Sequence, residues 1–216
     1  MKRDVLRLAV ILLCSHAAAL AQIPADVMEV MKRCEAKMDN PAGLEMDGTV
    51  RAKMLVFTMN GSLKSYLKGD KSKDIMTMKA MGTEIYEESG FDGSQNWNYK
   101  KASSKKERDS LIIKKADKRS KGEASIDLDM CKDYKKAKMK ISGRYYEITF
   151  TGPLNKDVPK KAIIKIDKDT YNLREMWAKA GYGSMRVTIT KIKINVSDNV
   201  FALDPKKYPN AVIVRK

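Results

Sequence analysis

Histidine is almost missing: the chain of 216 residues has one, His16. It lies in an N-terminal stretch with the form of an export leader. Lys2, Arg3 and Arg7 precede an apolar run from Leu8 to Leu13, and Ala19-Leu20-Ala21 is a small-residue cleavage signal. Removal of residues 1–21 as a signal peptide takes the histidine with it and leaves residues 22–216, a single domain, as the expected mature chain. Ser/His and Cys/His nucleophilic pairs and imidazole metal sites then have no residue to use. Long apolar runs are also missing. Beyond the leader nothing approaches the roughly 20 residues of a membrane-spanning helix, so the expectation is export without an anchor.

Other absences narrow the chemistry further. There is no phosphate-cradling glycine loop and no Gly-x-Ser-x-Gly elbow. The carboxylate pairs Glu87-Glu88 and Asp127 with Asp129 sit in polar stretches typical of solvated faces, and Asp127-Leu128-Asp129 lacks the oxygen-rich loop of a calcium site. The expectation is a non-enzyme with no cofactor and no metal. Cysteine is scarce, with three residues, and Cys14 falls in the leader. Cys34 and Cys131 remain in a compartment that permits oxidation, and both a disulfide and two buried thiols stay open.

Positive charge is in excess. Lys and Arg number 43 against 27 acidic residues, a net +16; the leader holds three of the former and one of the latter, which leaves +14. Export argues against nucleic acid as the partner. Many of the cations alternate with apolar residues, as in Lys138-Met139-Lys140-Ile141 and Lys191-Ile192-Lys193-Ile194, the pattern of a solvated sheet face. The densest basic stretch, Lys100 to Lys121, is the best candidate for transient contact with an acidic membrane surface or partner.

Residues 24–38 place Val27, Met28, Val30, Met31, Cys34 and Met38 at helical spacing after Pro24, and Asn40-Pro41 with Gly43 ends the pattern. The period then changes to two. Met46, Gly48, Val50, Ala52, Met54 and Val56 alternate with polar residues, Asn60-Gly61 reads as a tight turn, and Leu63, Ser65 and Leu67 follow on a returning strand. Asp74 to Glu87 alternates again, Asn96 to Tyr99 forms a short strand, and from Met139 strands continue to residue 196 between turns. Short connections imply a meandering antiparallel sheet with a helix over its apolar face. The fold class is mainly β with helices (α+β). Thirteen of the fourteen methionines lie beyond the leader, several on apolar strand faces, where they either pack a core or line an adaptable cavity. Trp97 and Tyr99 carry the same two readings.

Four segments, taken in order, resemble the periplasmic LolA family of outer-membrane lipoprotein carriers, within the fold shared with LolB and RseB. They are the helix at 24–38, Phe91-Asp92-Gly93 leading to Trp97-Asn98-Tyr99, Ala162 to Trp177, and Asn199-Val200-Phe201-Ala202-Leu203-Asp204-Pro205 with Val212. The second is similar to the family's Asp-Gly…Trp-x-Tyr strand and the last to its Phe-x-Phe-x-Pro-Pro ending. The resemblance implies a curved antiparallel sheet forming an unclosed β-barrel covered by helices, with an apolar cavity that takes up lipoprotein acyl chains.

It also implies a monomeric carrier that receives acylated lipoproteins, or a similar amphiphile, from an inner-membrane release complex and passes them to an outer-membrane acceptor. The alternative is an RseB-like sensor of lipid or protein. Alternation nominates Met46, Val50, Met54, Val56, Met76, Met78, Trp97, Tyr99, Ile164, Ile166, Met176, Val187 and Ile189 as cavity residues. The family's Arg-Pro has no match; the corresponding segment reads Lys71-Ser72-Lys73-Asp74-Ile75-Met76.

Overall fold

The computed structural model describes residues 23–104, 107–115 and 129–216. The leader, the region around Gly122, Asp127 and part of the basic stretch Lys100 to Lys121 lie outside the described residues. One helix, α1 (Ala25–Met38), is followed by strands β1 (Leu44–Lys53), β2 (Thr58–Lys68), β3 (Lys71–Ala80), β4 (Thr83–Phe91), β5 (Gln95–Lys100) and β6 (Ser110–Lys115). Then come β7 (Tyr134–Ser142), β8 (Tyr145–Pro153), β9 (Lys161–Asp167), β10 (Leu173–Ala180), β11 (Gly183–Ile194) and β12 (Val212–Arg215).

All twelve strands form one sheet in the order β12-β6-β5-β4-β3-β2-β1-β11-β10-β9-β8-β7. Neighbours are antiparallel except β12, which adds parallel to β6. The end strands β7 and β12 do not pair with each other, so the sheet is open. The antiparallel meander is what the strand pattern implies, and the open edges are what the family resemblance implies. The helical cover is smaller than expected: among the described residues α1 is the one α-helix, joined by short 3-10 turns at Asp129–Lys132, Asp198–Val200 and Pro205–Lys207.

Helix α1 forms because Val27, Val30, Met31 and Cys34 recur on one side, and that side is buried. They pack with Met46 of β1, Ile189 of β11, Leu173 of β10, Ile164 and Ile166 of β9, Ile148 and Phe150 of β8, and Tyr134 and Ala137 of β7. Cys34 is a fully buried thiol whose pKa burial pushes up to about 12, and no disulfide joins it to Cys131, which packs against the same cluster.

Two turns differ from the sequence reading. Asn60-Gly61 lies inside β2, paired with Lys79 and Met78, and the chain reverses instead at Met54–Phe57. Glycine stands at 61 for space, because a Cβ there would come within 1.9 Å of the Thr77 carbonyl oxygen and 2.9 Å of the Met78 Cα on β3. The alternating run from Asp74 to Glu87 is two strands, broken at Met81-Gly82. On the reverse face the predicted solvated ladders exist: Glu45 meets Lys193 at 2.8 Å and Lys64 at 3.4 Å, and Glu175 meets Lys165 at 3.2 Å.

Gly61→Ala is expected to destabilise the fold by about 1–3 kcal/mol, through displacement of the β3 backbone. Urea unfolding checks it: a midpoint unchanged from wild type would mean that β3 yields freely.

Candidate functional site: an open apolar sheet face

Antiparallel register aligns one side chain from each strand into rows across the sheet. One row on the α1 face runs Met139, Ile148, Ile164, Met176, Val187, Val50, Gly61, Met78, Ile85, and so crosses nine strands from β7 to β4 without a polar residue. Toward β7 this row is roofed by α1: Ile148 and Ile164 are fully buried in the helix cluster. Toward β3 the apolar surface continues past the helix cluster. Val50, Ala52 and Met78 are buried there, and Met59, Leu63, Met76 and Val187 pack against them half-buried.

Beyond the methionines the same face turns polar. A second row holds Ser65, Asp74, Ser89 and Asn98 on β2 to β5. Beside it a cavity of about 220 Å³ opens among Ser72, Glu87, Ser89, Asn96 and Asn98. Asp74 is only 8% exposed, and its Oδ2, with the hydroxyls of Ser65 and Ser72, has no hydrogen-bond partner among the described residues. Burial pushes the Asp74 carboxyl up to about 7. The face therefore grades from packed core, through a methionine strip, to a buried carboxyl and hydroxyls. That sequence of surfaces matches a molecule with an apolar chain and a polar end.

Of the nominated residues, Met46, Val50, Met76, Met78, Ile164, Ile166, Met176, Val187 and Ile189 lie on this face, and Met46, Ile164, Ile166 and Ile189 belong to the core that α1 covers. Two pairs sit elsewhere. Met54 and Val56 are in the β1–β2 turn, 49% and 90% exposed, because the strand ends at Lys53 before its alternation does. Trp97 and Tyr99 point to the reverse face, where they pack with Leu111, Ile113, Leu203, Tyr208 and Ala211.

There they clasp the C-terminal segment. The Tyr99 and Tyr208 rings lie 4.4 Å apart between centroids, and the Tyr99 hydroxyl donates to Asp109 at 2.6 Å. Buried Glu88 accepts from the Tyr86 and Tyr208 hydroxyls at 2.9 and 2.8 Å and meets Lys73 at 2.8 Å. Burial and Glu88 together hold the Tyr208 phenol above its ordinary range. The residues missed from sequence are Met59, Leu63, Ser65, Ser72 and Asp74. The alternation of Leu63 and Ser65 was the available signal for two of them.

Asp74 gives a signed pH effect. Its folded pKa of about 7 exceeds the ordinary carboxylate value of 3.8, so between these limits the folded chain keeps a proton that the unfolded chain has lost. Its contribution must fall as pH rises from about 4 to 7 and level off above. Relative to Asp74→Asn, the wild type should lose on the order of 2–4 kcal/mol across that window in urea unfolding. Parallel curves for the two proteins would contradict the burial of an unpaired acid.

No protein-family model matches the sequence, and no curated protein sequence matches it. Among solved structures it is similar to an uncharacterized conserved protein from Thermus thermophilus, at 11% identity and a TM-score of 0.53, over 88% of this chain and 99% of that one. Weaker likenesses are a LolA superfamily protein from Nitrosomonas europaea (11% identity, 82% and 97% covered, TM-score 0.39) and the Mycobacterium tuberculosis lipoprotein LppX (14%, 80% and 97%, 0.46). At such identities the first likeness is one of fold alone. That fold is an open antiparallel sheet with an N-terminal helix on one face.

Proposed function

We propose that the chain is an exported, non-enzymatic carrier that binds the acyl chains of lipoproteins, or of a similar amphiphile, on the methionine-rich part of its sheet face. The observation that carries this reading is the apolar row from Met176 to Met78, continuing past the core under α1 and bordered by the Asp74 and Ser65 row. Methionine is flexible and polarizable, so a strip of it adapts to chains of varied shape. Each buried methylene contributes about 0.8 kcal/mol, and the site needs area rather than chemistry. The polar end of the ligand would lie against Ser65, Ser72 and Asp74. In this reading the leader is cleaved after Ala21, and the mature monomer works in the periplasm between an inner-membrane release complex and an outer-membrane acceptor.

Met76→Glu places a charge on the half-buried part of the strip and should weaken binding of a fluorescent acylated lipopeptide roughly tenfold or more, with the melting temperature little changed. Met28→Glu, on the exposed side of α1, is the control and should bind as the wild type does. Equal affinity of the Met76 variant and the wild type would remove the strip as the site. Retention of the lipopeptide in the presence of acceptor membranes, without handover, would favour the RseB-like sensor.

A further inference from the structure

The turns of the sheet divide by end. Strand direction puts the β2–β3, β4–β5, β7–β8 and β9–β10 reversals at one end, and the β1–β2, β3–β4, β8–β9 and β10–β11 reversals at the other. At the first end the turn residues are the usual polar ones: Gly69-Asp70, Asp92-Gly93-Ser94, Gly143-Arg144 and Asp169-Thr170. At the second end three adjacent hairpins carry large apolar side chains at their tips. Leu55 is 76% exposed, Val56 90%, Met81 90% and Tyr182 85%. The tips stand side by side, because Lys53 pairs with both Thr58 and Ser184, Asn60 pairs with Lys79, and Ala80 and Ala180 pair across their own turns.

These side chains do nothing for the fold. They bury little area, and Met81 sits at a φ of 49°, in the left-handed region where asparagine or glycine is the low-cost choice. Behind the tips stand exposed cations on the same strand ends, Arg51, Lys53, Lys79, Lys179 and Arg186, of which Lys79 lies 3.6 Å from Glu84 and Arg186 3.9 Å from Glu175. Arg51, Lys53 and Lys179 have no carboxylate partner among the described residues.

We propose that this end of the sheet docks on an anionic lipid bilayer, with the three tips inserted among the acyl chains and the cations at the headgroups. Charge complementarity selects the anionic surface. The shape selects a bilayer over a protein: separate convex prongs need matched holes in a folded partner, whereas a fluid interior admits each one independently. Lysine and arginine stems then lie along the apolar layer with their charges in the headgroup region. The surface is separate from the methionine strip, so the proposal stands without the carrier reading.

Flotation with phosphatidylglycerol-containing vesicles and with pure phosphatidylcholine vesicles tests it. The wild type should float with the anionic vesicles at low salt and much less with the neutral ones. A variant carrying Leu55→Ser, Val56→Asn, Met81→Asn and Tyr182→Asn should lose roughly tenfold or more of that partition, at an unchanged melting temperature and with lipopeptide binding intact. Lys53→Glu with Lys179→Glu should weaken flotation and flatten its salt dependence. The proposal is overturned if the wild type does not bind anionic vesicles, or if the tip variant floats as the wild type does. It is equally overturned if sedimentation shows that the tips instead hold two copies of the chain together while neither protein binds vesicles.

Discussion

One helix has to cover one face of a twelve-stranded sheet, and it cannot. Helix α1 has 14 residues, so it is about 21 Å long and about 10 Å wide, whereas twelve strands at about 4.8 Å spacing extend roughly 50 Å. Its apolar side chains close the core over β7 to β11 and β1. Across the remaining strands the face needs another solution, and the residues present show two. Nearest the helix cluster the face stays apolar and becomes methionine-rich; farther out it carries Ser, Asp and Asn. The candidate site is the zone between what the helix seals and the buried polar row of Ser65 and Asp74.

The reverse face has its own division of labour. Over β1 and β8 to β11 it is solvated, with Glu45, Glu147 and Glu175 each shared between cations of neighbouring strands. Over β4 to β6 it is aromatic, and the chain's last segment crosses it before adding β12 to the β6 edge. This covers Trp97 and Tyr99 and ties the open side of the sheet to the C-terminus. Lys73 links the two roles: its ammonium meets Glu88 and lies 5.5 Å from the Trp97 ring centre. The Trp-x-Tyr strand that helped to identify the family resemblance is a clasp in this chain.

Much of this was legible in the sequence where one periodicity ran without interruption. The change from 3.6 to 2 after Asn40 located α1 and β1, and Asn96 to Tyr99 was read as the strand it is. The misreadings came from places where a non-local contact set the residue. Gly61 looks like turn punctuation but is required by the backbone of β3. Met54 and Val56 continue an alternation whose strand has already ended, and Met81 occupies a turn position that its side chain gives no reason to expect. Trp97 and Tyr99 alternate as lining residues would, but the face they occupy depends on register with β4, and a segment a hundred positions later in the chain buries them. Asp74 gave no local signal, since an acid directly after Lys73 reads as solvent-exposed until the sheet places it opposite Ser65.

The central claim is that an apolar chain occupies the uncovered part of the sheet face. Native mass spectrometry of the purified protein, before and after addition of an acylated lipopeptide, tests it most directly. The account predicts a one-to-one adduct whose mass follows the length of the acyl chain and which is absent with the unacylated peptide. No adduct in either sample, or equal binding of the unacylated peptide, would mean that the strip is filled by the protein's own side chains and serves the fold alone.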